Sequence, residues 1–287
     1  MPVDVAPSVR VSTLQPTPGN DANSPLRISI LGAGRMGREL IRVVAADKQL
    51  QLAGVWARQA DALAGFDIDW QEHGGAVPPV GGDLDAVLQH ADIVIDFSLP
   101  AATPQVLDAV RRANKPLVCG VTGLDESVLR QMRTVAASVP LLYDRNMSFG
   151  IAVLKDLVSR AAAALGHDFV ASIHDIHHVH KVDAPSGTAL KLGAALARAR
   201  NQDFESVFRY AADGIAARNS HDDIVFSATR SGEVPGEHTV TFQSAAETLE
   251  LAHKVTDRRV FADGALQAAR WLVRQKPGLY GMSDIFA

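Results

Sequence analysis

A cluster of histidines and one lysine groups several side chains that can transfer protons. Four imidazoles and one ammonium group fall within eight residues, at His174, His177, His178, His180 and Lys181. Such side chains can protonate an atom that lies within hydrogen-bond reach. A transition-metal site is one alternative, because imidazole is a common ligand, and an exposed structural cluster is another. No cysteine or His-Glu-x-x-His motif accompanies the cluster, and Lys181 would repel a cation, so the sequence predicts acid–base chemistry without a metal.

The residues after the cluster are suited to binding a carboxylate. Ser186 is a good N-cap, and Gly187 and Thr188 place backbone N–H groups in the first turn of a predicted helix. The cluster itself lies in a predicted strand, 169–180. On a strand, alternate side chains share a face, so we expect His177 and Lys181 on the side opposite the other three histidines.

A glycine-rich loop near the start of the chain predicts a dinucleotide site. It follows an apolar run, Leu26–Leu31, and leads into a segment with helical periodicity. Its glycines allow a tight turn and close approach of the pyrophosphate to the helix N-terminus. An ordinary glycine turn is the alternative. The loop consists of Gly32, Ala33, Gly34, Arg35, Met36 and Gly37.

The end of the second predicted strand bears on which nicotinamide cofactor is used. An acidic residue there normally holds the ribose hydroxyls of NADH. This chain has Ala57 followed by Arg58, and a guanidinium is suited to a 2′-phosphate. We therefore expect NADPH to be preferred, with NADH also accepted.

The elements that position these motifs alternate between apolar strands and amphipathic helices in the first half of the chain. After the glycine loop we predict strands at 50–56, 91–97, 116–119 and 140–143, a short strand near Val77, and helices at 103–113 and 126–137. This alternation is typical of a Rossmann-type doubly wound parallel sheet, whose ligands bind beyond the carboxyl ends of the strands.

The pattern changes after Asn146. We predict a helix at 150–165, the histidine strand, a helix from Ser186, a polar excursion at 201–222, and strands at 224–229, 238–243 and 248–254. Clustered strands favour a second α+β domain built on an open mixed sheet, and the closing helix, 261–273, can return to the first domain. The predicted limits are a leader at 1–24, a dinucleotide-binding domain at 25–147 plus 259–287, and a substrate-binding and oligomerisation domain at 148–258.

Composition excludes several classes of protein. The 287-residue chain is 47% hydrophobic with a formal net charge of −4, so it has a core of ordinary size and no general positive field for nucleic acid or acidic membranes. The single cysteine, Cys119, cannot form an internal disulfide, and no apolar stretch has membrane-spanning length. We expect a cytoplasmic protein with a disordered leader and with Cys119 buried as a small apolar side chain. Asp96 is expected to be a strand-end hydrogen-bond acceptor.

Together these motifs resemble the 4-hydroxy-tetrahydrodipicolinate reductase family of the diaminopimelate and lysine pathway. The resemblance extends from about Leu26 to the C-terminus. Its most specific part is the string from His177 to Ala189, His-His-Val-His-Lys-Val-Asp-Ala-Pro-Ser-Gly-Thr-Ala. It is joined by the glycine loop and by the segments 96–98, 120–123, 146–148, 236–239 and 261–265.

The resemblance implies NAD(P)H-dependent reduction of a small dicarboxylate heterocycle, with loss of water before hydride attacks the conjugated imine. It implies that His177 is the catalytic acid/base and Lys181 a second proton donor, and that His178 holds substrate carboxylates with the backbone of Gly187 and Thr188. A homotetramer formed through the second sheet is also implied. The nicotinamide end of the cofactor would be lined by Gly120, Val121, Thr122, Asp144, Arg145, Asn146 and Met147.

The chain departs from the family pattern at three places. The glycine loop is one residue shorter, Asp144-Arg145 stands where small residues are common, and the segment 211–218 keeps only Gly214 and Arg218 of a glycine-rich stretch.

Two alternative functions remain. One is another two-domain nicotinamide oxidoreductase acting on a semialdehyde or sugar, and the other is a non-catalytic nucleotide sensor.

Overall fold

The computed structural model describes residues 24–58, 78–211 and 221–286, which form two sheets with their covering helices. The leader and the predicted strand near Val77 lie outside the described residues. The first sheet has seven parallel strands in the order β12-β6-β5-β4-β1-β2-β3. Its strands are β1 Leu26–Leu31, β2 Leu50–Trp56, β3 Val80–Gly81, β4 Ile93–Asp96, β5 Leu117–Cys119, β6 Pro140–Tyr143 and β12 Gly278–Tyr280.

Helices cover both faces of this sheet because its central strands are apolar on both sides. Every residue of β4 and β5 is buried, which is the expected pattern for a parallel sheet between helical layers. Two apolar clusters form the core, one on each face. The helices are α1 Arg35–Ala46, α2 Leu84–Leu88, α3 Thr103–Ala113, α4 Glu126–Ala136 and α8 Arg259–Leu272.

Strand order places a crevice at the carboxyl ends of β1 and β4. The chain moves from β1 outward to β2 and β3, and then returns to β4 on the other side of β1. Ligands in doubly wound sheets bind where the order reverses in this way. The glycine loop follows β1, and Phe97 and Ser98 follow β4, so both line this crevice.

The second sheet has five strands in the order β11-β10-β7-β9-β8. It is mixed, because β7 pairs in parallel with β9 and antiparallel with β10. Helices α5 and α6 pack on one face around a third apolar cluster. The elements are α5 Phe149–Leu165, β7 Val170–His177, α6 Gly187–Ala199, α7 Phe204–Val207, β8 Phe208–Tyr210, β9 Ile224–Arg230, β10 Glu237–Gln243 and β11 Thr248–Lys254.

The fold class predicted from the sequence is confirmed, whereas several boundaries are not. The histidine strand ends at His177 rather than at residue 180, and the polar excursion contains α7 and β8, with residues 212–220 outside the described range. The chain returns to the first sheet through α8 and β12, a short strand that the sequence analysis missed. The exact domain limits stay a prediction.

Candidate active site

The end of β7 determines which histidines face the interior. The strand stops at His177, and a turn follows in which the Lys181 N–H donates to the His178 carbonyl at 3.1 Å. The predicted strand alternation is therefore wrong beyond His177. It does hold within β7, where His177 is buried on the helix side and His174 faces the open side, with its Nδ1 2.7 Å from the Ser227 hydroxyl.

His177 lies in a pocket of polar side chains. It is 8% exposed, and its Nδ1 is 3.2 Å from Oδ2 of the fully buried Asp175. The His238 ring packs edge-on against it, with ring centroids 5.1 Å apart. Gly236, with φ of +156°, lies beside Nε2, and a Cβ at that position would be only 3.1 Å away. The Nε2 edge is thus approached by glycine rather than by a larger side chain.

The ionisation of this group is set by burial and by close partners. Burial raises the pKa of Asp175, but the neighbouring His177 and Ser186 lower it by more, so the net pKa is below its usual range. The carboxylate therefore stays charged at neutral pH. Burial, with the charge of His177, lowers the pKa of His238 to about 3, so His238 is neutral in the same range.

Lys181 lies in the turn with its amine held by an acid. Its Nζ is 2.7 Å from Oδ1 of Asp183, and the side chain is only 23% exposed. Arg230 fastens the turn from β9, because its Nε donates to the Lys181 carbonyl at 3.2 Å and its Nη2 donates to the Asp183 carbonyl. Lys181 therefore has a fixed backbone and an amine that can exchange Asp183 for a bound anion.

The helix start after this turn has the predicted capping. The Ser186 hydroxyl accepts from the Ala189 N–H at 3.2 Å, and its backbone N–H donates to Asp175 at 2.9 Å. The first turn carries no acidic residue, so Gly187 and Thr188 lie at the positive end of the helix dipole. A substrate carboxylate fits this end of α6.

His178 lies beside a cation that the sequence analysis missed. Burial and the neighbouring Arg258 lower the pKa of His178. Arg258 immediately precedes α8, which belongs to the first sheet's helical layer. Its position was not signalled by any local motif, because it enters the site from 80 residues further along the chain. His180 is exposed, with its Nε2 3.3 Å from Glu233 and its ring centroid 6.0 Å from that of His178.

The glycine loop has the shape that a dinucleotide requires. Gly32 has φ of +95°, and a Cβ there would be 2.7 Å from the Phe97 carbonyl oxygen. Gly37 packs directly on the Gly32 carbonyl, whereas Gly34 faces open space. Helix α1 begins at Arg35 with no side-chain cap and no acidic residue in its first turn. These features fit a pyrophosphate. Ala33 and Met36 are partly buried against the core.

Other cofactor residues lie where strand ends place them. At the end of β2, Ala57 is buried and Arg58 is exposed, with residues 59–77 outside the described range. Gly120 follows β5, and a Cβ there would collide with the Phe97 ring at 2.5 Å. Val121 is buried beside it and Thr122 is exposed.

The loop after β6 connects the two sheets. Lys191 of α6 pairs with Asp144 at 2.6 Å, and the Asn146 amide donates to the Thr188 hydroxyl at 3.1 Å. Met147 is buried and Arg145 is exposed. The residues predicted at the nicotinamide end therefore contact the helix that starts at the predicted substrate turn.

One group in the described part of the chain has metal-ligand geometry. Atoms of Asp175, His177 and His238 lie within 4.8 Å of one another. His177 is the one member that this group shares with the four clustered histidines considered from the sequence. In the structure the carboxylate accepts from the Ser186 N–H and the His238 Nε2 lies 3.1 Å from the Ser186 hydroxyl. Hydrogen bonds through Ser186 thus link Asp175 to His238, whereas the His177 Nδ1 lies 3.2 Å from the carboxylate without a hydrogen bond. The absence of a metal stays a prediction.

Two further predictions about side chains are confirmed. Asp96 accepts from the Ser98 N–H at 2.8 Å, and Cys119 is fully buried. Burial and the neighbouring Asp96 raise the pKa of the Cys119 thiol, so it is not a reactive thiolate. No helix among the described residues is long and apolar enough to span a bilayer.

Comparisons with known proteins agree with this geometry. The chain is 41% identical to the 4-hydroxy-tetrahydrodipicolinate reductase of Halorhodospira halophila, over 91% of this chain and 98% of the relative. It is 40% identical to that of Wolinella succinogenes, over 90% and 98%. A solved structure, the dipicolinate-bound dihydrodipicolinate reductase from Paenisporosarcina sp. TG-14, has the same fold, with a TM-score of 0.71 at 23% identity over 91% of this chain and 99% of that one.

The family assignment covers both sheets. The family described as dihydrodipicolinate reductase, N-terminus, matches residues 26–147, and its C-terminus counterpart matches residues 150–286. Myo-inositol 2-dehydrogenase from Lactobacillus plantarum shares the fold at a TM-score of 0.59 and 12% identity, covering 92% of this chain and 94% of that one, but it carries no argument about substrate. Since the two family matches together span nearly all the described residues, the chain belongs to the dihydrodipicolinate reductase family.

Proposed function

We propose that the chain catalyses the NAD(P)H-dependent reduction of 4-hydroxy-tetrahydrodipicolinate to tetrahydrodipicolinate, with loss of water, in lysine and diaminopimelate biosynthesis. One observation carries the proposal: the buried Asp175–His177 pair lies beside Lys181 and the Ser186 helix start. Proton donors and a carboxylate-binding helix end are thus in one place. The names of the relatives supply the substrate.

Substrate binding requires places for two carboxylates. The N-terminal turn of α6 offers Gly187 and Thr188 to one, and His178 lies on the other side of the turn with Arg258 close by. Lys181 would exchange its bond to Asp183 for a bond to substrate. Preorganised N–H groups and cations of this kind stabilise charge that develops on the ring.

The proton donors act at the atoms that the fold leaves accessible. His177 is oriented through Nδ1 by Asp175, so its Nε2 edge is available to protonate the substrate. Lys181 is the second donor, released from Asp183 as the substrate carboxylate arrives. Bound NAD(P)H supplies the hydride. The groups that bind the two carboxylates hold the imine carbon in reach of the cofactor.

The cofactor is held by the glycine loop, by the strand-end residues from Gly120 to Thr122, and by the loop from Asp144 to Met147. We infer dual use with NADPH preferred, since Arg58 is exposed at the end of β2 and Ala57 offers no carboxylate to the ribose. A charge-assisted contact with phosphate contributes about 1.5–3 kcal/mol, which corresponds to roughly tenfold to hundredfold in preference. The exposure of Arg58 favours the lower end.

We further propose a homotetramer assembled through the second sheet, and a cytoplasmic location. Within the described residues, helices cover one face of this sheet, and the other face carries alternating, partly exposed side chains such as His174 and Thr241. In a tetramer, the second sheets of neighbouring subunits would pack against one another through this open face. Sedimentation of the wild type and of Thr241→Arg, which places a charge on this face at β10 next to the central strand β7, tests the assembly. Equal masses at all concentrations would contradict it.

A coupled assay tests the reaction. Substrate is generated in situ from pyruvate and aspartate semialdehyde, and oxidation of NADPH is followed. Lys181→Met and His177→Ala should keep cofactor binding and lose about 10²–10⁴ in turnover. His167→Ala is the control and should retain wild-type turnover, because this half-exposed histidine pairs with Asp222 outside the turn. Near wild-type rates for Lys181→Met would show the catalytic assignment to be wrong.

The same assay separates the alternatives. Saturable cofactor binding with no substrate-dependent oxidation would favour a nucleotide sensor. Turnover with a semialdehyde or sugar, but not with the in situ substrate, would favour another oxidoreductase. Neither alternative accounts for the paired proton donors beside a carboxylate-binding turn.

A further inference from the structure

We infer that Asp175 is a positioning residue which orients His177 and, at the same time, fixes the helix start that binds the substrate carboxylate. It touches neither substrate nor cofactor and acts through both neighbours. The inference rests on the proposed reductase function, because it presumes that His177 is the acid. It adds a residue to the machinery that no motif analysis of the histidine cluster had assigned.

The two oxygens of Asp175 have different partners. Oδ2 accepts from the Ser186 N–H at 2.9 Å and lies 3.2 Å from the His177 Nδ1. Oδ1 lies 3.5 Å from Nη1 of Arg230. The residue is fully buried. One carboxylate oxygen thus links the imidazole to the turn, and the other is neutralised from β9.

The contact with His177 determines the state of the ring. A carboxylate beside Nδ1 favours the tautomer that carries its proton on that nitrogen. Nε2 then faces the substrate. The other titratable or charged groups around the ring are His238 from β10, Arg230 from β9, and His178 and Lys181 from the turn. Asp175 is the carboxylate among the groups named here. Its removal therefore takes away the negative charge beside the ring, and none of the other named groups can replace it.

The contact with Ser186 extends the effect to substrate binding. The Ser186 backbone is held by Asp175, while its hydroxyl caps the Ala189 N–H and lies 3.1 Å from the His238 Nε2. The first turn of α6 is therefore held on both sides by groups that also surround His177. A change at Asp175 should alter proton transfer and carboxylate binding together.

Asp175→Asn tests the inference with little change in size. The amide oxygen can take the place of Oδ2 and still accept from the Ser186 N–H, but it then faces the His177 Nδ1 without a negative charge. The amide NH₂ takes the place of Oδ1 and faces the Arg230 guanidinium, which it repels. We expect kcat to fall about tenfold to hundredfold, less than the ~10²–10⁴ for losing the acid itself. The basic limb of the kcat profile should move to lower pH, because the negative charge beside the acid is lost.

Dipicolinate provides a readout that needs no turnover. Calorimetric titration should show its binding to Asp175→Asn weakened about threefold to tenfold, since a loosened turn loses part of one hydrogen bond of roughly 1 kcal/mol. NADPH affinity should be unchanged. Ser186→Ala, which keeps the backbone N–H, should weaken dipicolinate binding without moving the basic limb. If the wild type binds dipicolinate but turns nothing over, the proposed function fails, whereas the binding comparison still tests Asp175.

Asp222→Asn is the matched control. Asp222 pairs with His167 at 2.7 Å in the same sheet unit, but the side chains of His167 and Asp222 are 50% and 63% exposed. Solvent screens such a pair. The dependence of kcat on pH in Asp222→Asn should match that of the wild type. Asp175→Glu keeps the charge on a longer side chain, so it should lower kcat while leaving the basic limb in place; it decides the matter if the Asn variant does not fold. If either Asp175 variant keeps the wild-type kcat, the wild-type basic limb and the wild-type affinity for dipicolinate, the inference is wrong. A variant that loses only thermal stability would also overturn it.

Discussion

Asp96 is buried in a way that should make the stability of the first sheet depend on pH. The side chain is fully buried at the end of β4, with Oδ1 accepting from Ser98 and Oδ2 lacking any hydrogen-bond partner in the structure. Burial raises its pKa to about 6, against an ordinary value of 3.8, in spite of the Ser98 hydrogen bonds. Cys119 lies next to it in register on β5 and offers a thiol rather than a cation.

The magnitude follows from proton linkage. A raised folded-state pKa gives stability that is fully present below pH 3.8 and is lost as the pH rises through about 6. At about 1.4 kcal/mol per pKa unit, the ionised carboxylate costs about 3 kcal/mol of unfolding free energy above that range. Asp96→Asn is neutral at every pH. The stability of the variant relative to wild type should therefore increase by about 2–3 kcal/mol between pH 4 and pH 8.

Urea unfolding followed by tryptophan fluorescence measures this difference, because Trp56 and Trp271 both lie in the first sheet unit. The two proteins are compared at equal concentration across the pH series, so that contributions from other groups cancel. Asp108→Asn, on the exposed side of α3, controls for the loss of one carboxylate. A stability difference between Asp96→Asn and wild type that does not change with pH would refute the reasoning.

Three other predictions concern the site. Ala57→Glu should shift kcat/KM from NADPH towards NADH; a wild type that strongly prefers NADH, or a variant that does not shift, would mean that another group contacts the 2′ position. Chelator treatment with elemental analysis should find neither a stoichiometric transition metal nor lost activity; a metal needed for turnover would make Asp175, His177 and His238 its ligands. Lys191→Ala breaks the pair with Asp144, in which Lys191 is 39% exposed. It should raise the KM values about twofold to fivefold, as expected for roughly 0.5–1 kcal/mol, and unchanged KM values would show the pair to be unimportant.

Local features of the fold could be predicted from the sequence because they depend on neighbouring residues. Continuous apolar runs predicted β1, β2, β4, β5 and β6 of the first sheet, and Ser186 was identified as an N-cap by its type and by the turn after it. Asp96 was predicted as a strand-end acceptor, and its bond to Ser98 spans two residues. Each of these predictions needed only the periodicity or the chemistry of a short segment.

Features that depend on strand pairing could not be predicted in the same way. His238 packs on His177 because β10 pairs antiparallel with β7, and the partner lies 61 residues away in the chain. Arg230 reaches the turn because it is in register with His177 on β9. The end of β7 at His177 follows from the same pairing, since the Ser231 N–H donates to the His177 carbonyl as the strands separate. The pattern of polar residues in the sequence continues past His177, so the predicted strand extended to residue 180.

The junction between the two sheets has a consequence for how the reaction geometry is maintained. The Asn146 side chain accepts from the Ser148 N–H at 2.9 Å and donates to the Thr188 hydroxyl at 3.1 Å. Its amide therefore joins the loop at the nicotinamide end to the first turn of α6. Hydride transfer needs donor and acceptor atoms within about 3–3.5 Å, a tolerance much smaller than the movement that two separately folded sheets could make. Lys191 and Asp144 join the same two elements, so on the proposed function these two contacts help to fix the distance between cofactor and substrate.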